Sequence, residues 1–136
     1  MKMQQIEPFH PKGLIRTWGT EMLIGETSQY TGKVLTYQAG KAGGLQLHRR
    51  KDETFYLFSG EAWVDSEGDV PFVLDRVKML PGQSYHIPAG APHRFEAITD
   101  CVVFEVSTPV HNDRVRLEEH YGVNVIGDAY GLETTT

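Results

Sequence analysis

The chain of 136 residues contains a single cysteine and no long apolar segment. Cys101 cannot form an internal disulfide, so nothing in the sequence requires an oxidising compartment, and its apolar neighbours predict a small buried residue. No apolar run approaches the roughly 18–20 residues of a membrane span. The first residues also lack the apolar core of a signal peptide. These absences predict a cytoplasmic protein that does not enter a membrane.

An excess of basic residues is also absent. Thirteen Lys and Arg stand against eighteen Asp and Glu, which gives a formal net charge of −5. Nucleic-acid binders usually carry a basic stripe, so a nucleic acid is not an expected partner. The length predicts one domain over residues 1–136, large enough to bury a core without disulfides.

Sustained helical periodicity is the third feature that the sequence lacks. Glycines and prolines instead separate short runs of β-branched and aromatic residues, which are predicted strands at 33–37, 54–58, 61–65, 72–74, 84–88 and 101–106. One short helix is predicted within 112–122, where Asn112 or Asp113 would cap about two turns and Gly122 would end them. Many short strands predict an all-β antiparallel sandwich or barrel. The tail at 131–136 is expected to be frayed.

Four polar side chains stand at offsets that would bring them together in such a fold. Gln46 and His48 are two residues apart, so in a strand they share one face. Glu53 follows after a basic turn, at the start of the next predicted hairpin, and His93 comes much later, beyond a Pro–Gly turn. Two imidazoles, a carboxylate and an amide oxygen would form a site for one divalent ion, such as Mn, Fe, Co, Ni or Zn, with positions left for a substrate. The alternative is a polar cluster with a purely structural role.

Two motifs around these residues resemble the cupin superfamily. The first cupin motif, G-x5-H-x-H-x(3,4)-E-x6-G, is matched by Gly40, Gln46, His48, Glu53 and Gly60, with glutamine in place of the first histidine. The second, G-x5-P-x-G-x2-H-x3-N, is matched by Gly82, Pro88, Gly90 and His93, with Ala97 in place of the asparagine. The resemblance implies a single cupin jelly-roll barrel with Gln46, His48, Glu53 and His93 as metal ligands. Cupin barrels often pair through edge strands, so it also implies a homodimer.

A closer resemblance covers about residues 15–122. The stretches "RTWG", "LQLHRRKDE", "YHIPAGAPHRFE", "VVFEV" and "NDRVRLEEHYG" resemble, in order, the C-terminal isomerase domain of type II phosphomannose isomerases. The glutamine before His48 is a feature of that family. The chain departs from it at Thr17, Arg49, Arg50, Lys51 and Thr54, where the family has proline, histidine, histidine, arginine and histidine. The resemblance therefore implies metal chemistry more directly than it implies mannose 6-phosphate as the substrate.

This family resemblance implies a metal-dependent aldose–ketose isomerase that acts on a small sugar or sugar phosphate through a cis-enediol. The reaction needs a group that moves a proton between C1 and C2. The candidate proton carriers, all in or beside predicted strands, are Lys33, His86, Arg94 and Glu105. Arg94 and Arg114 are the candidates for binding a phosphate, because arginine suits that group; the alternative for both is a surface salt bridge.

Several of these assignments have open alternatives. His86 could be a half-buried strand histidine, and Glu105, in an apolar strand, could be a functional carboxylate or an edge residue facing solvent. The aromatic residues Trp18, Tyr56, Trp63 and Tyr85 are expected in the core or an interface, and His10, His111 and His120 at the surface. Residues 111–116 are also expected at the surface, unless the C-terminal segment folds over the barrel mouth. For the whole chain, the rivals are an iron-dependent dioxygenase and a non-catalytic sugar- or metal-binding cupin.

Overall fold

The computed structural model describes residues 5–121 and 133–134, and it is all-β apart from one short helix. The first sheet contains β1 (Lys12–Arg16), β2 (Gly19–Glu26), β3 (Thr31–Tyr37), β5 (Glu53–Ser59), β8 (Ser84–Ile87) and β10 (Cys101–Ser107). The second contains β4 (Gln46–His48), β6 (Ala62–Glu67), β7 (Leu74–Met79), β9 (His93–Ala97), β11 (Arg114–Arg116) and β12 (Glu133–Thr134). The helix α1 spans Glu118–Tyr121.

Both sheets are antiparallel and six-stranded, with the orders β1-β2-β3-β10-β5-β8 and β12-β11-β4-β9-β6-β7. Side chains alternate along each strand, so every second residue of β3, β5 and β10 is buried between the sheets. This arrangement confirms the predicted all-β jelly-roll barrel. Within the described residues, no helix combines the length and the apolar character needed to cross a membrane.

The interior of the barrel changes from apolar to polar along the strands. Leu35 lies opposite Val103 in the β3–β10 register, and both belong to the buried apolar core. One step along the inner face, Lys33 lies opposite Glu105, and both are buried as well. The barrel therefore has an apolar half that stabilises the fold and a half lined by ionisable groups, which is where a site can form.

Most predicted strands match observed ones, but the short strand predicted at 72–74 is wrong. Residues 71–72 form a turn in which Phe72 has φ of 61°, and β7 begins only at Leu74. Strands β1, β2 and β9 were not predicted, because glycine, charge or a proline turn interrupts their apolar pattern.

The predicted helix over 112–122 is wrong in its first half. Residues Arg114–Arg116 pair with β4 as a strand, and the helix is confined to Glu118–Tyr121. Pairing with an existing strand satisfies the backbone groups that a helix would otherwise have satisfied. Gly122, its predicted end, lies outside the described residues, as does the tail at 131–136 except for β12, which pairs with β11.

The other packing predictions have mixed outcomes. Cys101 is buried in the core, as expected, and Trp18 and Tyr85 pack against that core. Tyr56 is partly exposed on the outer face of the first sheet, and Trp63 lies beneath the guanidinium of Arg76. The histidines expected at the surface, His10 and His111, are exposed, whereas the side chain of His120 lies outside the described part of the chain.

Candidate metal centre and cavity

Three of the predicted ligands form a compact cluster in the polar half of the barrel. One donor atom from each of His48, Glu53 and His93 lies within 4.8 Å of the other two. Glu53 Oε1 is 3.2 Å from His93 Nε2 and 3.9 Å from His48 Nε2, and all three side chains are buried. The fourth candidate, Gln46, lies opposite His93 in the β4–β9 register. The structure therefore brings the residues of both motifs to one place.

Several donor atoms of this cluster lack a hydrogen-bond partner in the protein, and a divalent cation would satisfy them. Gln46 Oε1, Glu53 Oε1 and His93 Nε2 are all buried and lack a hydrogen-bond partner. Although Glu53 and His93 approach to 3.2 Å, their contact does not have hydrogen-bond geometry. Buried polar atoms in folded proteins nearly always have a partner, and imidazole nitrogen with carboxylate and amide oxygen is a donor set for such an ion. These residues could therefore hold one divalent metal ion.

In each of the two histidines, a hydrogen bond at Nδ1 orients the ring so that Nε2 faces the cluster. His93 Nδ1 donates to the carbonyl of Ala91 at 2.9 Å, and His48 Nδ1 donates to Asp113 Oδ1 at 3.0 Å. With Nδ1 protonated and donating, Nε2 of each neutral imidazole presents its lone pair. This arrangement is typical of metal-binding histidines, whose second nitrogen is fixed by a carbonyl or carboxylate.

Asp113 is a site residue that was not predicted by name, because residues 111–116 were expected at the surface unless the C-terminal segment folded over the barrel mouth. Its carboxylate is fully buried, and Oδ2 accepts the backbone N–H groups of Arg50 and Lys51 at 2.9 and 2.8 Å. The segment that carries it pairs with β4, so the C-terminal part of the chain forms one wall of the site. The resemblance of residues 112–122 to the isomerase domain was a sequence signal that this segment belongs to the fold.

The electrostatics keep both kinds of ligand in the form that binds a metal. Burial lowers the pKa of His48 despite the opposing effect of Glu53, so its imidazole is neutral near pH 7. Burial alone would raise the pKa of Glu53, but its close neighbours, among them the ammonium group of Lys51, lower it overall, so the carboxylate is ionised. Metal ligation requires a neutral imidazole and an ionised carboxylate.

Lys51, which the sequence analysis did not single out as a site residue, joins two buried carboxylates. Its Nζ is 3.1 Å from Glu53 Oε2 and 3.0 Å from Glu105 Oε2. Burial alone would lower the pKa of Lys51, but Glu105 and Glu53 raise it, so the ammonium group is charged. With Oε2 engaged by Lys51, Glu53 turns Oε1 towards the histidines. Glu105, whose position was left open, is therefore a buried carboxylate inside the barrel and not an edge residue.

A cavity of about 200 Å³ opens beside the cluster. Its lining includes the predicted site residues Lys33, Gln46, His48, Glu53, Glu105 and Arg114. Pockets for drug-sized ligands measure roughly 300–1,000 Å³, so this cavity suits a smaller molecule.

The cavity also contains a second ionic group, of which only Lys33 was a predicted site residue. Glu21 lies 2.9 Å from Arg16 Nη2 and 3.6 Å from Lys33 Nζ, and all three residues line the cavity. Burial raises the pKa of Glu21, but Lys33 and Arg16 lower it overall. Beside this group, Trp18 stacks on Tyr37 with ring centroids 4.1 Å apart, so Trp18 lines the cavity as well as packing against the core.

Two of the candidate catalytic residues do not line the cavity. The side chain of His86 is 60% exposed and pairs with Asp52 at 2.6 Å, because His86 lies opposite Thr54, which alternates with the inward Glu53. Arg94 follows the inward His93 directly, so it points to the outer face of the second sheet, where it binds Asp65 at 2.9 Å. For Arg94 the structure shows the salt-bridge alternative.

Comparison with known proteins agrees with this architecture. A family model described as "Cupin domain" matches residues 33–107. A putative mannose-1-phosphate guanylyltransferase of Vibrio cholerae is 32% identical over 81 residues, which are 60% of this chain and 16% of that protein. A mannose-1-phosphate guanylyltransferase of Escherichia coli is 26% identical over 125 residues, which are 88% of this chain and 25% of that protein. The chain thus spans a quarter or less of the length of the curated relatives that it matches.

Similarity to solved structures concerns the fold. A crystal structure described as a sugar phosphate isomerase from a cupin superfamily, from Silicibacter pomeroyi, superposes with a TM-score of 0.58 at 19% identity. The match covers 67% of this chain and 59% of that one. At this identity, the similarity shows a common barrel.

Proposed function

The chain belongs to the cupin family, and from this premise we propose that it is a metal-dependent aldose–ketose isomerase acting on a small sugar or sugar phosphate. The observation that carries the proposal is the cluster of His48, Glu53 and His93 in the polar half of a barrel whose small cavity also contains buried ionisable groups. The sequence similarity to the isomerase domain of type II phosphomannose isomerases supports the same reaction class. The relatives' guanylyltransferase activity is not included, because the chain spans so little of their length.

The ion would be held by Gln46, His48, Glu53 and His93. When bound, it would supply an electrophile that polarises a sugar carbonyl and stabilises negative charge on oxygen. Asp113 and the carbonyl of Ala91 orient the two imidazoles, and Lys51 keeps the second oxygen of Glu53 engaged.

Proton transfer between C1 and C2 is assigned to the cavity residues Glu105 and Lys33. Glu105 is buried beside the charged Lys51, and Lys33 lies opposite it in the β3–β10 register. We assign Glu105 as the base that takes the proton from carbon and Lys33 as the cation that faces the sugar oxygens. Both side chains are buried, so the fold fixes their positions before a substrate binds.

A phosphate on the substrate would bind at the cationic side of the cavity. Arg114 lies opposite His48 in the β11–β4 register and lines the cavity, as does Arg16. Guanidinium groups bind phosphate through paired hydrogen bonds. A phosphorylated sugar is supported by the names of the curated relatives, which concern mannose 1-phosphate, and by the likeness to a solved sugar phosphate isomerase.

The test is a panel of aldose and ketose phosphates, each assayed with Mn, Fe, Co, Ni and Zn, with NMR detection of solvent exchange at C2. Glu105→Gln and Lys33→Met should lose the exchange and keep stoichiometric metal. His86→Gln is the matched control, because this residue lies outside the cavity, and it should keep both. A protein that binds metal but exchanges no substrate proton with any sugar or metal is not an isomerase.

The same preparation separates the rival functions. An iron-dependent dioxygenase would consume oxygen, and a binding module would show a ligand-induced rise in melting temperature without turnover. The donor set disfavours the dioxygenase, because Gln46 stands where those cupins have a third histidine. The homodimer and the cytoplasmic location remain parts of this proposal.

A further inference from the structure

One part of the cavity lining is apolar. Leu35 and Tyr37 share the inner face of β3, Trp18 stacks on Tyr37, and Gly43 lies beside the Tyr37 hydroxyl. All four residues line the cavity. The metal site and the proton-transfer pair proposed above use none of them, so this part of the lining would face the portion of a ligand that lies away from the reacting carbons.

Tyr37 brings a hydroxyl group into this apolar part. The residue is 8% exposed, and among the described residues none hydrogen-bonds to its Oη. Buried polar groups in folded proteins nearly always have a partner. A hydroxyl that lines a cavity without one is available to a ligand that enters the cavity.

Two aromatic neighbours fix the direction of this hydroxyl. The Tyr37 ring stacks on Trp18 with an interplanar angle of 16°, and its centroid lies 4.5 Å from that of Phe95. Phe95 belongs to the same buried core cluster as Tyr37. The phenol is therefore held in place before a ligand binds, which reduces the entropy that its hydrogen bond would cost.

We infer that Tyr37 determines substrate specificity by donating a hydrogen bond from its hydroxyl to an uncharged hydroxyl oxygen of the bound sugar. The inference rests on the proposed function for the nature of the substrate. It deepens that proposal, because it assigns the recognition of a sugar hydroxyl to a residue outside the metal site. A site that hydrogen-bonds a substrate hydroxyl discriminates against analogues that lack it, since its own polar group then loses its partner.

Charge indicates which kind of oxygen Tyr37 would contact. Burial, followed by the charges of Glu105 and Glu53, raises the pKa of Tyr37 above its ordinary value of 10. The phenol is therefore protonated near pH 7 and able to donate. The same carboxylates would repel a phosphate placed against Oη, so an uncharged hydroxyl is the partner that suits this position.

Gly43 leaves room for a substrate atom beside the Tyr37 hydroxyl. A Cβ at this position would lie 3.7 Å from Oη, an ordinary contact distance, so alanine would occupy the space without a clash. Gly43 is not among the glycines with positive φ, so its backbone also accepts alanine. Gly43→Ala therefore fills the space next to the hydroxyl, whereas Tyr37→Phe removes the hydroxyl and keeps the ring.

The test is isothermal titration calorimetry of the full chain loaded with Zn²⁺ or Co²⁺. The probes are the aldose and ketose phosphates of the isomerase panel and the same sugars without phosphate. For the probe that wild type binds most tightly, Tyr37→Phe should lower the affinity about 5- to 100-fold. Gly43→Ala should lower it as well. Tyr85→Phe is the matched control, because Tyr85 packs against the core outside the cavity lining, and it should bind as wild type does.

Monodeoxy analogues of that probe identify the hydroxyl. For the analogue that lacks the contacted hydroxyl, wild type and Tyr37→Phe should have equal affinity, whereas the difference should persist for the others. This result supports the inference whether or not proton exchange is detected, so failure of the isomerase proposal is a separate outcome.

Melting temperature and metal content establish that each variant is folded and retains its metal. Equal affinities of Tyr37→Phe and wild type for that probe would overturn the inference even if wild type is an isomerase. A wild type that binds none of the probes would overturn it as well. So would a Tyr37→Phe deficit of the same size for the probe and every deoxy analogue, because the loss would then not come from a sugar hydroxyl.

Discussion

Replacing Asp113 with asparagine should weaken metal binding although every candidate ligand remains. The Asp113 carboxylate accepts three hydrogen bonds, from His48 Nδ1 through Oδ1 and from the backbone N–H groups of Arg50 and Lys51 through Oδ2. Asparagine has one acceptor oxygen and one donor NH₂ group in the same space. Any orientation of the amide therefore sets its NH₂ against a group that donated in the wild type.

The two orientations have different costs. If the NH₂ group faces His48, the imidazole must accept at Nδ1 and carry its proton on Nε2, which cannot then bind a metal. If the oxygen faces His48, the NH₂ group opposes the two backbone N–H groups, and these buried donors lose their acceptor. Loss of such an orienting group typically lowers metal affinity 10–100-fold, or by about 1.4–2.7 kcal/mol.

Competition between the protein and a coloured chelator for Co²⁺ or Zn²⁺ would measure this affinity. Asp65→Asn is the control, because it removes an equally buried carboxylate whose hydrogen bonds come from Arg76 and Arg94, outside the cavity. Asp113→Asn should lose affinity and Asp65→Asn should not. Equal affinity in both variants and wild type, in folded protein, would refute the role assigned to Asp113.

Three further predictions concern the ligands, an ion pair and a glycine. His48→Ala and His93→Ala should each abolish stoichiometric metal, measured by plasma emission spectrometry after dialysis. Asp65→Asn should lower the free energy of unfolding in urea by about 1–3 kcal/mol at pH 7. Burial raises the pKa of Asp65, but its arginine partners lower it overall, below the ordinary aspartate value of 3.8. The loss of stability caused by Asp65→Asn should therefore become smaller as the pH falls below 3.8, where the wild-type carboxylate begins to lose its advantage over the unfolded state. Gly44→Ala should destabilise by about 1–3 kcal/mol, because its Cβ would lie 2.3 Å from a buried guanidinium.

Each of these predictions has a result that contradicts it. Full metal content in the His48→Ala, His93→Ala double variant would place the metal elsewhere. An Asp65→Asn deficit that stays constant from pH 7 to pH 3 would mean that the carboxylate charge contributes nothing. Gly43→Ala is the control for the neighbouring glycine, since its Cβ would meet only Tyr37 Oη at 3.7 Å, and equal melting temperatures for the two variants would contradict the steric argument.

The convergence of the candidate ligands could be predicted because strand geometry converts sequence offsets into positions. Gln46 and His48 share a strand face at a separation of two, and the motif spacing carries Glu53 and His93 into the same interior. The same alternation argues against Arg94, which follows an inward histidine and must point outwards. His86 could not be excluded in this way, because its direction depends on the β5–β8 register, which the sequence does not reveal.

Asp113 and Lys51 were not predicted as site residues, because their roles depend on contacts between segments that are far apart in the sequence. Asp113 stands in a stretch that reads as a helix cap and becomes a site residue only because β11 pairs with β4. Lys51 belongs to a run of three basic residues that is typical of a solvated turn, yet two buried carboxylates draw it inside. Burial of a charge depends on partners from other strands, so local sequence does not predict it.

The pairing of β4 with the C-terminal segment has a consequence for the order of biosynthesis. All four candidate ligands lie between residues 46 and 93, but Asp113 orients His48, and Glu118 accepts the backbone N–H of Leu45 at 3.0 Å. The ribosome releases the chain from its N-terminus. All four candidate ligands therefore emerge before Asp113, which orients the imidazole of His48. A nascent chain that stalls before residue 113 would carry all four candidate ligands but would lack the hydrogen bond that orients the His48 ring. The candidate metal site would therefore gain its full set of orienting hydrogen bonds only after β11 and α1 have emerged.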